Sequence, residues 1–252
     1  MRKAVEEMKK LVDSLPFDEI YKKKQNKERL EKVKKRIEEK KEEINAGLDK
    51  FPGNHCTIGE LIKTENGCDE ILKNYKSEPG IYFVGYEGEI SDLQPDHAEK
   101  LEFKKIAKTR GEDEENIYWY GEDPDWEHLK IKKSLGEHIL YIGKADDLYE
   151  RISTYMAFVY EMLKDRESDK THRGGRAICL LGEEAKKLDF YWYSLKELGL
   201  SKEDCSAEDL ERELIGKYGQ KRYKEKEKKK EKEKEKKLKS KVIYYPFANW
   251  RL

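Results

Sequence analysis

The amino-acid sequence predicts an α+β fold in which a small sheet is flanked by helices. Three short runs, 81–86, 139–143 and 190–193, have the β-branched and aromatic composition of strands. Apolar residues recur at helical spacing in the segments around them. The chain has 252 residues, of which 36% are hydrophobic and 43% charged, so we expect one modest core, or two small ones, surrounded by solvated charged helices.

The first 50 residues are predicted to be helical. Apolar residues recur at helical spacing over 4–15, and Pro16 ends that run. A second segment has the same spacing over 30–37, but Lys40 interrupts it at the next position of the apolar seam, which disfavours a long coiled coil. We therefore favour a helical hairpin that packs on the body of the protein or on a partner. The alternative is a coiled-coil homodimer.

The chain is predicted to divide near residue 76, into an N-terminal helical region over 1–76 and a second domain over 77–252. Short helices are expected around 58–62 and 69–75. The Pro-Gly pair at 79–80 then introduces the first strand. The N-terminal region is expected to serve dimerisation or contact with DNA.

Two charged insertions are predicted within the second domain, at about 87–137 and 219–241. The first carries 8 Lys or Arg against 15 Asp or Glu, and it includes a strand-like piece over 116–120. The second is rich in Lys and Glu, with 13 Lys or Arg against 5 Glu over 221–241. Lys and Arg total 54 in the whole chain, as do Asp and Glu, so only this local excess of positive charge indicates a polyanionic partner.

Two helices are predicted beyond the second strand. An amphipathic helix covers 148–162, and a polar loop over 165–175 follows it. Ser206 can cap a second helix that runs from 208 to about 218.

Composition excludes several classes of protein. None of the four cysteines belongs to a C-x-x-C pair, so we expect free thiols in place of a disulfide or zinc framework. No apolar run approaches the roughly 20 residues of a membrane helix, and the charged N-terminus does not have the pattern of a signal peptide. We therefore expect a cytoplasmic protein with no membrane partner.

Two tripeptides carry a resemblance to a known family. Gly80-Ile81-Tyr82 and Tyr141-Ile142-Gly143 resemble the pair that names the GIY-YIG nucleases. The stretch that begins at Tyr141 is also similar to the corresponding stretch in the incision nuclease of bacterial nucleotide-excision repair. The residues in register there are Lys144, Leu148, Arg151 and Tyr155.

Two further blocks follow in the order of the family. The segment 207–215 is similar to the Leu-Glu-x-x-Leu-Ile helix that carries the metal-binding glutamate, which implies this role for Glu211. The segment 246–249 resembles the Pro-x-x-Asn that closes the domain, and its Asn249 is implied to support the active site structurally.

The resemblance covers about 79–86 and 138–250. It implies a GIY-YIG core with a three-stranded antiparallel sheet flanked by helices, a Mg²⁺ (or Mn²⁺) ion held by Glu211, and hydrolysis of DNA phosphodiesters. The chain departs from the family in two places. Tyr82 and Tyr141 are 59 positions apart, where a short hairpin is usual, and a long charged insertion precedes the last block.

The residue types also suit phosphodiester hydrolysis on chemical grounds. The reaction needs a nucleophilic water, a base for its proton, and positive charge near the developing phosphorane. Arg151 can hold a phosphate oxygen with two hydrogen bonds and keeps its charge. Glu211 can hold one hard divalent cation through oxygen. Glu208 and Glu213 are rival carboxylates that point elsewhere on the same helix.

The resemblance implies that a strand tyrosine acts as the general base. The ordinary tyrosine pKa of about 10 is high for this role, but Lys144, Arg151 and the metal would stabilise the phenolate. We favour Tyr82 as the base, with Tyr141 assisting in the positioning of water, although the sequence leaves both assignments open. Tyr155 lies one helical turn beyond Arg151 and could hydrogen-bond the phosphate.

A short Gly-Gly segment over 171–176 is a candidate DNA contact. His172, Arg173 and Arg176 supply donors and charge, and the two glycines would let backbone amides approach a ligand. The alternative is a charged turn.

The favoured function is that of a DNA endonuclease, restriction-like and site-specific, with double-stranded DNA as its partner. A homodimer formed through the N-terminal helices would cut both strands of a palindrome. The alternatives are a structure-specific repair or recombination nuclease that nicks one strand, and a catalytically idle DNA-binding scaffold.

Overall fold

The computed structural model describes residues 3–15, 27–50, 54–63, 68–88, 138–164, 172–179 and 181–216. Most of the acidic insertion, the Lys/Glu-rich insertion and Asn249 lie outside these residues. The strands are β1 (His55–Thr57), β2 (Gly80–Gly85), β3 (Ile139–Ala145) and β4 (Asp189–Ser194). The helices are α1 (Lys3–Asp13), α2 (Lys27–Glu39), α3 (Lys41–Lys50), α4 (Ile58–Leu61), α5 (Cys68–Leu72), α6 (Leu148–Leu163), α7 (Arg173–Cys179) and α8 (207–216), with 3₁₀ turns at Lys73–Tyr75 and Gly182–Lys187.

The four strands form one antiparallel sheet in the order β1-β4-β2-β3. The α+β class is therefore confirmed, but the predicted number of three strands is wrong. The extra strand, β1, has only three residues and pairs at the edge of the sheet with β4. Three residues cannot show the alternating pattern of a strand, so the sequence does not predict β1. Only its pairing with β4 identifies it as a strand.

Both faces of the sheet are buried, which explains why β2 and β4 are almost entirely apolar or aromatic. Side chains alternate along each strand, so Ile81 and Phe83 enter one core while Tyr82 and Val84 enter the other. In β4, Tyr191 lies in the first of these cores and its neighbours Phe190 and Trp192 lie in the second. Successive positions of β2 therefore have different roles, although all are buried.

Helices α1, α2 and α3 pack on the face of the sheet that carries Ile81 and Phe83. The buried carboxylate of Glu7 fastens α1 to the start of β3, since it accepts hydrogen bonds from the backbone N–H groups of His138 and Ile139, at 2.6 and 2.9 Å. This arrangement matches the predicted packing of a helical region on the body of the protein. The apolar faces of these helices are consequently occupied within one chain.

The predicted boundary near residue 76 does not separate two cores. Strand β1 lies before the boundary and completes the sheet, while α4 and α5 contribute to the core on the sheet face of Tyr82. Helix α1 contributes to the other core. The described residues on both sides of position 76 therefore form the same two hydrophobic cores. None of the helices in this described part of the chain is long and apolar enough to cross a membrane.

Replacing Leu11 by alanine should show that α1 is part of the fold. Leu11 is fully buried in the core beneath the sheet, so we expect the variant to lose about 2–5 kcal/mol of unfolding free energy, the usual cost of such a cavity. Urea denaturation measures this loss, with exposed Lys10→Ala as the control, which should change stability by less than about 0.5 kcal/mol. Equal stability of the two variants would mean that α1 is not integral to the core.

A β-bulge in β3 turns Leu140 into the core that contains Tyr82. Val84 pairs with Tyr141 while Gly85 pairs with Ile139, so that Leu140 is an extra residue between the two pairs. Leu140 and Tyr141 consequently both enter the core that contains Tyr82, although they are adjacent in sequence. Bulges commonly redirect a side chain in this way next to a functional site.

Candidate active site

The two motif tyrosines meet on one face of the sheet. The hydroxyl oxygens of Tyr82 and Tyr141 lie 3.4 Å apart, and their ring centroids are 5.7 Å apart. Tyr155 of α6 joins them, with its ring centroid about 6 Å from each, at 6.2 and 6.1 Å. The structure thus brings together three tyrosines that the sequence assigned to one site.

Gly143 of the second tripeptide makes this meeting sterically feasible. It pairs across the strands with Tyr82, and a Cβ atom added at position 143 would lie 2.5 Å from Cζ of Tyr82 and 2.7 Å from Cε1 of Tyr141. Neither ring can move away from such an atom easily, because both rings are buried in the core. The glycine is therefore required by the close approach of the two rings.

Arg151 reaches the tyrosines from α6. The start of this helix is fixed by Asp147, whose carboxylate accepts hydrogen bonds from the backbone N–H groups of Glu150 and Ser77, at 3.0 and 2.8 Å. Arg151 follows in the first turns, exposed to solvent, and its positive charge acts to lower the pKa of the Tyr82 hydroxyl. A group bound from solvent would therefore meet Arg151 before it meets the buried tyrosines.

Glu211 approaches the same place from α8. Ser206 caps this helix as predicted, since its hydroxyl oxygen accepts from the backbone N–H of Asp209 at 3.1 Å. Glu211 is half-buried, and burial raises the pKa of its carboxyl to about 7, while the neighbouring positive charges of Lys144 and Arg151 act in the opposite direction. The carboxylate is thus close enough to both cations of the predicted site for their charges to act on it.

The rival carboxylates lie in different surroundings. Glu208 is exposed and forms ion pairs with Lys144 at 3.5 Å and with Arg212 at 2.9 Å. Glu213 is buried and carries its charge close to Cys205, in the core on the opposite face of the sheet. Glu211 is therefore the carboxylate of α8 that is best placed to act with the tyrosines.

Burial dominates the ionisation of the tyrosines. It raises the pKa of Tyr82, although the charge of Arg151 acts in the opposite direction. Burial and the neighbouring Tyr82 raise the pKa of Tyr141 well above its ordinary value, and burial does the same for Tyr155. Of the three phenols, Tyr82 has the most direct access to the charge of Arg151.

His172 and the glycines that follow it lie inside the protein. His172 is 1% exposed, and its ring is stacked on Tyr155 with centroids 4.2 Å apart, so it does not lie on the surface where a direct DNA contact needs it. Cβ atoms added at Gly174 and Gly175 would lie 2.5 Å from the Tyr141 ring and 2.7 Å from the Tyr155 ring. The two glycines thus allow α7 to pack closely on the tyrosines, in place of the predicted approach to a ligand.

The segment around these glycines was also expected to be a loop up to position 175, but α7 begins at Arg173. The sequence missed this helix because paired glycines disfavour helices, and here packing on the tyrosine rings compensates for that preference. Arg173 and Arg176 belong to α7, and their contact with DNA stays a prediction.

Tyr155 is completely buried, as Tyr82 is, and its hydroxyl has no hydrogen-bond partner among the described residues. Its hydrogen bond to the phosphate stays a prediction. Its ring packs on those of His172 and Phe190. These contacts support a packing role for Tyr155 next to the site.

The donor set suits Mg²⁺ through Glu211. The described residues contain no group of three or more His, Cys, Asp or Glu side chains that could hold a metal ion. Mg²⁺ needs no such group, because it keeps several waters and is commonly held by one or two carboxylates together with phosphate oxygens of the substrate. A half-buried carboxylate at the edge of the site meets that requirement.

If Glu211 holds the metal ion, the affinity for that ion should depend on pH. The carboxyl must lose its proton to hold a cation, so we expect the affinity for Mg²⁺ to rise as the pH increases through about 7. Calorimetric titration at about one pH unit below and above 7 measures this, with Glu208→Gln as the control variant that should retain the dependence. Binding that is equally tight at both values would contradict the assignment of Glu211.

The same raised pKa has a consequence for the metal-free protein. Between the ordinary value of 4.5 and about 7, the native carboxyl holds a proton that the unfolded chain has released. The favourable contribution of protonated Glu211 to the unfolding free energy is therefore complete below about 4.5 and is lost as the pH rises through about 7. Comparison of urea denaturation for the wild type and Glu211→Gln across this range should reveal a relative gain for the variant at high pH.

Comparisons of the chain with protein-family models, with curated proteins and with solved structures find no match. The arrangement of side chains at the site is therefore the main physical indication of the chemistry that this chain supports.

Proposed function

We propose that the chain is a magnesium-dependent nuclease of the GIY-YIG type that hydrolyses phosphodiester bonds in double-stranded DNA. One observation carries the proposal: side chains from four separate sequence blocks converge on one place. They are Tyr82 of β2, Tyr141 of β3, Arg151 of α6 and Glu211 of α8. Each residue alone has an ordinary structural explanation, but the four together supply what phosphodiester hydrolysis needs.

The open side of the site is suited to a phosphate group. Arg151 is exposed, and the Lys144 side chain is 34% exposed, so both cations can be reached from solvent. The guanidinium would hold a phosphate oxygen and oppose the negative charge that develops in the transition state. Tyr82 and Tyr141 lie beneath, so the scissile phosphate would rest between the cations and the phenols.

Tyr82 is the proposed general base. The charge of the Arg151 guanidinium favours the phenolate of Tyr82, whereas burial and the nearby Tyr82 disfavour ionisation of Tyr141. The burial of Tyr82 keeps the phenol protonated in the free protein at neutral pH, so added positive charge is needed before it can accept a proton from water. Tyr141 would orient that water.

Glu211 would hold the magnesium ion with one carboxylate. A bound divalent cation would polarise a phosphate oxygen, lower the pKa of bound water and supply the positive charge that the buried phenol lacks. The chain's own contribution is to place this carboxylate beside Lys144 and Arg151, where burial has already raised its pKa.

The test of the function is incubation of the purified protein with several supercoiled plasmids, with and without Mg²⁺. We expect cleavage that requires the metal and is stopped by EDTA. Discrete linear fragments would indicate a site-specific double-strand endonuclease, which is the favoured function. Nicked circles alone would favour the repair or recombination nuclease. Binding of DNA without cleavage of any plasmid or branched substrate would contradict the proposal and favour the scaffold.

A restriction-like dimer would have to use surfaces other than the apolar faces of α1 to α3. Those faces are already buried against the sheet. The exposed charged positions of these helices stay available, and contact of Arg173 and Arg176 with DNA belongs to the same proposal. Light scattering with and without DNA would show whether two chains act together.

A further inference from the structure

His172 stands out as a polar residue with a specific role in the buried part of the site. It immediately precedes α7, and its imidazole lies between two partners. Nδ1 is 3.1 Å from the backbone nitrogen of Gly175, and Nε2 is 3.0 Å from the hydroxyl oxygen of Tyr82. The residue therefore connects the first turn of a helix to the proposed general base.

The contact with Gly175 determines which ring nitrogen of His172 carries the proton. A backbone N–H can only donate, so Nδ1 must accept and must be unprotonated. A neutral imidazole that lacks the proton on Nδ1 carries it on Nε2. The Nε2–H group consequently donates its hydrogen bond to the oxygen of Tyr82, and Tyr82 is the acceptor.

The Tyr82 oxygen thus has one donor and one positive charge close to it. His172 donates from α7, and the charge of Arg151 acts on the phenol from α6. Tyr141 is the third neighbour, with its hydroxyl oxygen 3.4 Å away. The hydrogen bond from His172 and the nearby positive charge of Arg151 both favour negative charge on the Tyr82 oxygen.

The plane of the imidazole is also held in place. The ring of His172 stacks on that of Tyr155, with an interplanar angle of 25°. Tyr155 is itself packed against Phe190 and belongs to the core. Rotation of the imidazole would break this stacking and both hydrogen bonds, so the donor to Tyr82 is held in one orientation.

We propose that His172 is a positioning residue for Tyr82: its imidazole is held by Gly175 and Tyr155 in the Nε2–H tautomer, and it donates a hydrogen bond that orients the Tyr82 hydroxyl for its role as general base. This proposal rests on the proposed nuclease function. It also replaces the direct DNA contact that the sequence suggested for this residue, since His172 is buried.

The first test detects the tautomer and does not depend on activity. In the full chain with ¹⁵N-labelled histidine, we expect the His172 spectrum to show a protonated Nε2 and an unprotonated Nδ1. The loss of these signals in His172→Asn assigns them among the five histidines. A proton on Nδ1 would overturn the proposal whether or not the protein cleaves DNA. The expected tautomer without any DNA cleavage would leave the hydrogen bond in place but overturn the catalytic role of His172 together with the proposed function.

The second test separates the two hydrogen bonds of His172. Asparagine is a good N-cap residue and can still accept from Gly175, but it lacks a donor that reaches Tyr82. We expect His172→Asn to bind DNA as tightly as the wild type and to cleave it on the order of 100-fold more slowly. His172→Gln, whose longer amide can donate towards Tyr82, should recover part of the rate if it folds.

A double-mutant cycle completes the test. If His172 acts through the Tyr82 hydroxyl, His172→Asn should cause little further loss of rate in the Tyr82→Phe background. A direct DNA contact would instead lower DNA affinity in both backgrounds, and a purely structural role would lower stability and rate in both. Either of these outcomes, or wild-type cleavage by His172→Asn, would overturn the proposal.

Discussion

Glu211→Ala is expected to abolish metal-supported cleavage while DNA binding stays largely intact. The substitution removes the carboxylate that would hold the cation, but it leaves the partly exposed Lys144 and the exposed Arg151 available for the phosphate. A bound metal ion stabilises the transition state by several kcal/mol, so its loss should lower kcat by about 1,000-fold or more. Single-turnover cleavage and a DNA-binding titration in Ca²⁺ measure the two effects separately.

Glu208→Gln is the matched control for this experiment. Glu208 lies one turn earlier on α8 and pairs with Lys144 and Arg212 at the surface, so its loss should leave cleavage within a few-fold of the wild type. Full activity of Glu211→Ala would disprove the assignment of the metal ligand. A fall in activity for Glu208→Gln alone would move that role to Glu208.

Tyr82→Phe is expected to reduce cleavage by about 10² to 10⁴-fold, the usual contribution of a general base. The substitution removes one oxygen and preserves the ring, which is stacked on Phe190 with centroids 5.4 Å apart. The fold should therefore persist, although His172 loses its acceptor. Single-turnover rates at saturating DNA, together with a thermal unfolding curve, measure the effect.

Tyr191→Phe is the control for the loss of a buried phenol. Its hydroxyl donates to Glu87 at 3.1 Å and its ring lies in the core on the other face of the sheet, so cleavage should not change. Tyr141→Phe distinguishes the two candidate bases. If Tyr82→Phe cleaves at the normal rate while Tyr141→Phe does not, Tyr141 is the base.

Local sequence signals predicted most of the elements that hold the site. The amphipathic pattern after Gly143 predicted α6, and the aromatic run 190–193 predicted β4. Ser206 predicted the start of α8. These elements could be predicted because helical periodicity, strand composition and capping act between residues that are close in sequence.

The order and spacing of the sequence motifs also predict the residues of the candidate site. The two tripeptides, Arg151 and Glu211 were selected by their order and spacing, and the structure places them together. That convergence is consistent with the nuclease hypothesis and leaves its chemistry to the cleavage experiments.

The sequence by itself determined the class of fold, most of the helices and strands, and the residues of the candidate site, because these depend on local periodicity and on motif spacing. Only the tertiary structure decided the fourth strand, the bulge that places Leu140 next to Tyr141 in one core, and the burial of His172 against both Gly175 and Tyr82. Each of these depends on packing contacts between segments that are far apart in sequence. In each case the conformation of one segment depends on the segment it packs against. Packing of that kind leaves no periodic signal in a single segment.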